Sequence, residues 1–155
     1  NKHRQMNWLY NGKEFTDISQ FPKDTIGFLY EVEDENGKKY IGKKALYHNK
    51  KRKLSKKDLL KFEGKVGRKP THERLTKESD WKTYYGYHRE IKELIKEGKI
   101  QFTRTILKFA FTKKQLTYLE AQLLFKLEVL ENTTDYYNDN ILAKFYRKDF
   151  TVISA

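Results

Sequence analysis

The sequence predicts an α+β fold in which a small antiparallel or mixed β-sheet is flanked by helices. Two strand-like runs, 25–33 and 38–43, stand on either side of an Asn-Gly pair, the strongest short signal for a β-hairpin. A third strand-like run covers 100–109, and 112–131 carries leucines at helical spacing. Strand and helix signals in this order, without an internal repeat, favour one small sheet with helices packed on it.

The hairpin can form in two registers, and they differ in where they place two tyrosines. A strict two-residue turn at Asn-Gly pairs Val32 with Ile41 and puts Tyr30 and Tyr40 on opposite faces of the sheet. A turn with a bulge pairs Val32 with Tyr40 and puts both tyrosines on one face. If both phenols serve one site, the simple turn is excluded.

Two helices and a terminal element follow the hairpin. A short amphipathic helix is predicted over 88–98, with Gly98 as its C-terminal stop. Thr112 is a good N-cap for the long helix, and a polar turn over 133–140 precedes a short element over 141–146. The leucines that form the apolar stripe of the long helix are Leu116, Leu119, Leu123, Leu127 and Leu130.

The predicted organisation is one domain with appendages. Residues 1–24 are polar with a few aromatics, and we expect an N-terminal extension that forms a small turn or hairpin docked by its aromatics. Residues 25–146 form the domain, with a mobile basic loop over 48–78 that contains at most a short helix. Residues 147–155 are predicted to be a tail.

Composition narrows the class of partner. The chain has 155 residues, a formal net charge of +12, 15% aromatic residues and no cysteine. Such a charge attracts polyanions, chiefly nucleic acid and secondarily an anionic membrane surface. The lack of cysteine excludes a disulfide framework and a cysteine zinc site. With no apolar run near the about 20 residues of a membrane span and no visible signal peptide, we expect a soluble, cytoplasmic protein.

Glu120 is the most unusual charged residue of the long helix. At about 100° per residue it lies on the flank of the apolar stripe, between Leu124 and Leu127. An ionised carboxylate in apolar surroundings is costly unless it is paired or bound to a metal. Two interpretations follow: a glutamate at the rim that reaches solvent or Lys114, or a ligand of Mg²⁺, which favours oxygen donors.

Other chemistry-bearing residues also have two interpretations. Tyr30 and Tyr40 are either packed hairpin aromatics or active phenols, which need neighbouring cations or a metal to lower their pKa. The basic run after the hairpin is either a solvated patch or a phosphate-binding segment, in which Lys44 has a fixed position directly after a strand. Asn138 either caps a turn or positions a neighbouring group, whereas His72 and His88 are isolated and expected at the surface.

Taken together, these motifs resemble the GIY-YIG nuclease superfamily. Phe28-Leu29-Tyr30, Tyr40-Ile41-Gly42, a downstream basic residue, Glu120 and Asn138 occur in the order of that family. The segments 36–44 and 78–86 are most similar to the free-standing or intron-encoded endonucleases of bacteriophages. The first motif departs mildly, with Phe-Leu-Tyr in place of Gly-Ile-Tyr, and Tyr87 and His88 stand where small polar residues are expected.

The resemblance implies single-metal hydrolysis of a phosphodiester. Glu120 would bind Mg²⁺ or Mn²⁺, Tyr40 would be the base for the attacking water, and Tyr30 would be hydrogen-bonded nearby. Asn138 would brace the site from the terminal element. A cation would stabilise the transition state, and the position of the family's arginine falls on 50–52. The candidates for the cationic part of the site are Lys44, His48 and Arg52.

The implied substrate is double-stranded DNA, cut by a homing or mobile-element enzyme that is a monomer or a transient dimer. It would act in the cytoplasm of the host cell if the chain is phage-encoded, without a membrane partner. The alternatives are a catalytically weak or inactive nucleic-acid-binding protein of the same fold and an RNA-binding protein of ribosomal type. The residues expected to bind phosphates are Lys43, Lys44, Lys50, Lys51, Arg52, Lys53, Arg68 and Lys69.

Overall fold

The computed structural model describes residues 6–64 and 67–150, with the side chains of Lys50 and Arg74 left aside. The chain forms two compact units: one runs to Leu46 and resumes at Asp80, and the other is Tyr47–Ser79. The strands are β1 (Trp8–Tyr10), β2 (Lys13–Phe15), β3 (Gly27–Asp34), β4 (Lys39–Ala45), β5 (Tyr47–Lys53), β6 (His72–Glu78), β7 (Phe102–Ala110), β8 (Asn140–Ile141) and β9 (Phe145–Tyr146). The helices are α1 (Lys56–Leu59), α2 (Arg89–Glu97), α3 (Lys113–Lys126) and α4 (Arg147–Phe150), with 3₁₀ turns at Ile18–Gln20, Leu60–Phe62 and Trp81–Thr83.

A five-stranded sheet is the centre of the first unit. Its strand order is β2-β1-β7-β3-β4, and it is mixed because β1 runs parallel to β7 while the other neighbours are antiparallel. Helices flank this sheet, so the predicted α+β class is confirmed. Strand β4 stands at one end of the order, where one side of the strand is available for a site.

The β3–β4 hairpin adopts the register that puts both tyrosines on one face. Val32 pairs with Tyr40 and Tyr30 pairs with Gly42. The loop has three residues because the Asp34 carboxylate accepts hydrogen bonds from the backbone N–H groups of Asn36, at 2.8 Å, and Lys38, at 2.9 Å. Gly37 completes the loop with a φ of +88°, the left-handed conformation typical of such turns.

The two faces of the sheet carry different cores. One face is aromatic, packs Phe28 and Tyr30 with Trp8 and Trp81, and takes Ile91 from α2. The other face is aliphatic and is covered by α3, whose Thr112 cap accepts a hydrogen bond from the Gln115 N–H. The buried members of the aliphatic cluster are Leu29, Ile41, Leu124, Val129, Leu130 and Ile141. The sheet is therefore sandwiched between α2 and α3.

The N-terminal segment belongs to the sheet, which differs from the predicted extension over 1–24. The expected hairpin is present as β1–β2 and is docked by Trp8, which is fully buried and whose Nε1 donates to the Trp81 carbonyl at 2.6 Å; the difference is that β1 also pairs with β7. Arg104, 1% exposed, lies against the Trp8 ring and donates to the carbonyls of Met6, Lys82 and Tyr84. A buried guanidinium thus joins this segment to the sheet.

The second unit corrects the prediction of a mobile loop over 48–78. β5 and β6 pair along seven residues, from Tyr47 with Glu78 to Lys53 with His72. Between them, Ser55 and Asp58 form a capping box at the start of α1. These two strands form a β5–β6 ribbon, and Arg52 stabilises it through ion pairs with the nearby Asp58 and with Glu73, 21 residues along the chain.

The end of the chain also differs from the prediction. Helix α3 stops at Lys126 rather than near residue 131, and Glu128 has a φ of +52°. Residues 147–150 form α4 rather than a tail, and Arg147 donates to the carbonyls of Val129 and Leu130. Within the described part of the chain, no helix is both long and apolar enough to cross a bilayer.

Candidate active site

A cavity of about 710 Å³ lies beside β4, at the end of the sheet. Because β4 is the last strand in the sheet order, side chains from both of its faces reach this edge, as do the N-terminal end of α2, the middle of α3 and the segment before β8. All residues that line the cavity come from the first unit: Tyr40, Ile41, Lys43, Tyr87, His88, Arg89, Glu90, Glu93, Glu120, Leu124, Asn138, Asp139, Asn140 and Leu142.

Glu120 presents a mostly buried carboxylate to this cavity. Its side chain is 16% exposed, and the Lys43 Nζ lies 3.8 Å from Oε1. Burial raises the pKa of Glu120, and the charge of Lys43 opposes this shift. Lys43 is held in place because it also donates to the Thr117 hydroxyl at 2.9 Å. Burial disfavours the ionised form of Glu120 and Lys43 pairs with it only weakly, so a bound cation would stabilise the ionised carboxylate.

The donor set fits a hard divalent cation held by few protein ligands. Within residues 6–64 and 67–150, no three His, Cys, Asp or Glu side chains converge on one point. Mg²⁺ commonly binds through one or two carboxylates, with phosphate oxygens and water as its other ligands. Glu120, with Asp139 among the other residues that line the cavity, fits that pattern better than it fits a zinc cage.

The two motif tyrosines have different environments. Tyr40 lines the cavity, whereas Tyr30 is 1% exposed beneath it, with ring centroids 6.3 Å apart. The hydroxyls of Tyr30 and Tyr84 are hydrogen-bonded to each other. Burial raises the pKa of both phenols, and the negative charge of Glu120 raises that of Tyr40 further. Each tyrosine therefore holds its proton at neutral pH unless a cation is bound close by.

Two glycines are required by the close approach of these tyrosines. A Cβ on Gly42, opposite Tyr30 in the register, would lie 2.6 Å from Tyr30 Cζ. A Cβ on Gly86 would lie 3.2 Å from both the Tyr30 hydroxyl and Tyr40 Cε2, and Gly86 has a φ of +104°. The glycines of the Tyr-Ile-Gly and Tyr-Tyr-Gly motifs are thus explained by packing on the tyrosine pair.

Asn138 binds the β4 edge as a neighbouring strand would. Its Oδ1 accepts from the Ile41 N–H at 3.0 Å, and its Nδ2 donates to the Ile41 carbonyl at 2.8 Å. Two residues earlier in β4, the Lys39 carbonyl accepts a hydrogen bond from the Tyr137 N–H. Asn138 is 4% exposed and both polar groups of its amide are engaged, so its geometry is that of a brace.

His88 is a cavity residue that the sequence interpretation missed. Its side chain is only 15% exposed, which corrects the expectation of a surface residue, whereas His72 is exposed as predicted. The imidazole lies between the rings of Tyr40 and Tyr137, with ring centroids 5.6 Å and 5.8 Å away, respectively. Its Nδ1 is buried without a hydrogen-bond partner among the described residues. The sequence offers only its place two residues after the Tyr-Tyr-Gly motif, which does not by itself predict burial.

The cations predicted for catalysis are dispersed. Lys44 Nζ binds Asp80 at 2.6 Å and lies over the Tyr84 ring, away from the cavity lining. His48 and Arg52 belong to the second unit, where the pKa of Arg52 is raised by its hydrogen bond to Glu73. A role for these three residues in cleavage stays a prediction, and Lys43 is the lysine that lines the cavity.

The predicted phosphate-binding residues lie mainly in the second unit. Lys51, Arg68 and Lys69 line a shallow hollow there, and Arg52 and Lys53 are exposed. The Lys50 side chain lies outside what the structure describes. Lys43 and Lys44 belong to the first unit, next to the site.

Comparison with known proteins identifies the family. Residues 8–141 match a family model with the description "Putative endonuclease segE, GIY-YIG domain". No curated protein and no solved structure matches the chain. The match includes the β3–β4 hairpin, Asn138 and all residues that line the cavity except Leu142. It also includes β1 and β2. The chain therefore belongs to the SegE-type GIY-YIG endonuclease family, a family of nucleases.

Proposed function

We propose that this protein is a Mg²⁺-dependent endonuclease that hydrolyses phosphodiester bonds of double-stranded DNA, as a homing or mobile-element enzyme. The observation that carries the proposal is the mostly buried Glu120 carboxylate, which shares a cavity with Tyr40 and Lys43. The family is one of nucleases, and such enzymes typically use a divalent metal. Mn²⁺ would substitute for Mg²⁺, since both accept the same oxygen ligands.

Glu120 would hold the metal ion, together with Asp139 or waters and an oxygen of the scissile phosphate. When bound, the ion neutralises the phosphate charge and lowers the pKa of nearby water. The ammonium of Lys43 is 3.8 Å from the Glu120 carboxylate, so it can move onto a phosphate oxygen when the ion takes its place. Lys43 would thus supply the positive charge that a developing phosphorane needs.

Tyr40 would accept the proton of the attacking water. Its hydroxyl is in the cavity and has no hydrogen-bond partner among the described residues, so it is available to a water molecule. Since burial and Glu120 raise the pKa of Tyr40, this role requires the cation that Glu120 attracts. Tyr30 would hold the ring of Tyr40 in position from beneath the cavity, and its own hydroxyl is fixed by the hydrogen bond with Tyr84.

The rival proposal is a protein of this fold that binds DNA without cutting it. A binding protein has no need of a mostly buried carboxylate beside a phenol, because an ionised carboxylate in the cavity repels phosphates. The geometry at Glu120 therefore favours cleavage. Lys43 offsets that repulsion only in part, since 38% of its side chain is exposed.

Glu120→Gln tests the proposal, because glutamine keeps the shape of the side chain and removes the charge. We expect plasmid cleavage with Mg²⁺ to fall by at least about a hundredfold, since loss of a metal ligand removes several kcal/mol of transition-state stabilisation. DNA binding measured in EDTA should stay the same or tighten, since an anion leaves the cavity. The parent protein should not cleave in EDTA.

Glu93→Gln is the matched control, since Glu93 lines the same cavity but is largely exposed and paired with Arg89. It should cleave within about threefold of the parent, as expected for a surface charge. Cleavage by Glu120→Gln within tenfold of the parent would rule out Glu120 as the metal ligand. Parent protein that binds DNA but never cleaves it would favour the rival.

A further inference from the structure

We propose that the β5–β6 ribbon enters the major groove of duplex DNA and contacts base edges through one of its two faces. We call it the reading face, and its register positions include Asn49, Lys51, Lys53 and Thr76. The inference rests on the proposed function, in which the cavity of the first unit cuts the DNA. The ribbon would then select where the DNA is cut.

The charge of the second unit indicates a polyanionic partner. Residues 47–79 contain twelve Lys or Arg and four Asp or Glu, a net charge of +8 out of +12 for the whole chain. These 33 residues therefore hold two thirds of the net charge. Such a concentration of cations favours binding to DNA over binding to a protein surface. Cationic side chains that neutralise DNA phosphates release the counterions condensed on the DNA, and this release favours binding.

The shape of the ribbon indicates a groove. All of its described side chains except Glu73 are exposed, so both faces of the ribbon face solvent. An isolated two-stranded ribbon is marginally stable in water and gains from a partner that covers it. Seven residues per strand extend about 23 Å. The major groove is about 12 Å wide and admits a two-stranded ribbon.

The two faces of the ribbon differ in how their charges are used. On one face, Arg52 is neutralised by Glu73, with Nε 2.7 Å from Oε1, and by Asp58 at 3.5 Å. These contacts stabilise the ribbon and occupy the charge of Arg52, although Lys77 on the same face is exposed. We call the face that contains Arg52 the structural face.

The reading face has the groups that recognise bases. The Thr76 hydroxyl donates to Asn49 Oδ1 at 3.2 Å, which leaves the Asn49 amide N–H groups free for an acceptor on a base edge. Asn pairs with adenine and Thr contacts the thymine methyl group in the major groove. Lys51 and Lys53 are paired in the register with Arg74 and His72, so no acid stands opposite them.

A hollow beside the reading face provides phosphate contacts. Lys51, Arg68 and Lys69 line it together with His72, and Glu73 is the acid among its lining residues. Phosphate contacts position a protein on the duplex, and base contacts then specify the sequence. The hollow and the Asn49–Thr76 pair would supply these two kinds of contact from one side of the ribbon.

The test selects preferred sites from a pool of random duplexes with the full-length parent protein in EDTA, where no cleavage occurs. A preferred sequence should emerge, and guanine methylated at N7 within it should block binding, because N7 lies in the major groove. Asn49→Asp keeps the acceptor for Thr76 and removes the amide donor, so the ribbon should stay folded. Its preference for the selected site over random DNA should fall about 5- to 150-fold.

Lys51→Ala and Lys77→Ala form a matched pair, since Lys77 is exposed on the opposite face. Lys51→Ala should lower the slope of log K against log salt by about 1, and Lys77→Ala should change it much less. Unchanged site preference in Asn49→Asp, or interference confined to minor-groove methylation, would overturn the inference. Cleavage in Mg²⁺ is scored separately, so a failure of the nuclease proposal leaves these binding results interpretable.

Discussion

Tyr40→Phe separates chemistry from packing at the proposed site. Among the described residues the Tyr40 hydroxyl has no hydrogen-bond partner, while its ring packs against Tyr30 and against His88 at 5.6 Å. Phenylalanine keeps the ring and removes only the oxygen. The free energy of unfolding should therefore change by less than about 0.5 kcal/mol. Any large loss of rate must come from the reaction itself.

If the phenol is the base, the rate of the chemical step should fall by about two to four orders of magnitude. That range corresponds to about 2.7–5.5 kcal/mol of activation free energy. The pH profile provides a second measure. The pKa of Tyr40 is raised, so the assay pH lies below it. In that range the ionised fraction of the phenol increases about tenfold for each unit by which the pH rises. The log of the parent rate should rise with pH, and this rise should vanish in Tyr40→Phe.

Tyr30→Phe is the matched control, because it deletes the same atom one layer deeper. The Tyr30 hydroxyl is buried and hydrogen-bonded to that of Tyr84, so its loss should reduce the free energy of unfolding by about 0.5–1.5 kcal/mol. Its cleavage rate should fall less than about tenfold, within the same energy range. Single-turnover cleavage between pH 6 and 9 and urea unfolding measure both variants. Equal, small rate losses in the two variants would refute the assignment of Tyr40 as the base.

Two further predictions concern the residues that hold the β4 edge and the Tyr40 ring. Asn138→Ala should lower the free energy of unfolding in urea by about 1–3 kcal/mol, since the buried N–H and C=O of Ile41 lose their partners. His88→Phe should cleave within about threefold of the parent rate and keep the parent's pH profile, because the ring still packs on Tyr40 and the unpaired Nδ1 is removed. The cleavage rate of His88→Ala should fall about tenfold, because the Tyr40 ring loses this support. Equal losses in the two His88 variants would instead assign a proton-transfer role to the imidazole.

The order of strands and helices in the first unit could be predicted because each element has a local signal. The Asn-Gly turn, the Thr112 cap and the stop at Gly98 all lie where the sequence indicates. The register of the hairpin could not be decided from local patterns, since Asn-Gly fits two turns. A side chain decides it, because the Asp34 carboxylate binds two backbone N–H groups of the longer loop.

The basic segment was misjudged because a count of like charges does not include partners distant in sequence. Residues 50–53 are all cationic and predict a solvated loop. In the structure, Glu73 lies opposite Arg52 in the register and compensates its charge. The acid that makes the ribbon possible is 21 residues away. Only pairing of the two strands reveals it.

Candidate site residues with an anomalous position could be found from the sequence, and those placed by tertiary contacts could not. Glu120 stands out because a carboxylate interrupts an apolar flank, and the structure places it in the cavity. His88 has no such signal, and its burial depends on Tyr137, which is 49 residues further along the chain. Arg104 stands at an inward-facing position of β7 and is buried, although a charged side chain is not expected inside a protein.

The use of an edge strand explains why residues from both faces of the sheet can meet at one cavity. Tyr40 belongs to the aromatic face and Lys43 to the side of α3, and inside a sheet two such residues would be separated by the backbone. Exposed edges invite pairing with other strands. Here the segment 135–138 covers β4 at Lys39 and Ile41. Two residues beyond Ile41, Lys43 lines the cavity. The brace thus fixes β4 at the position next to Gly42, and the cavity begins there.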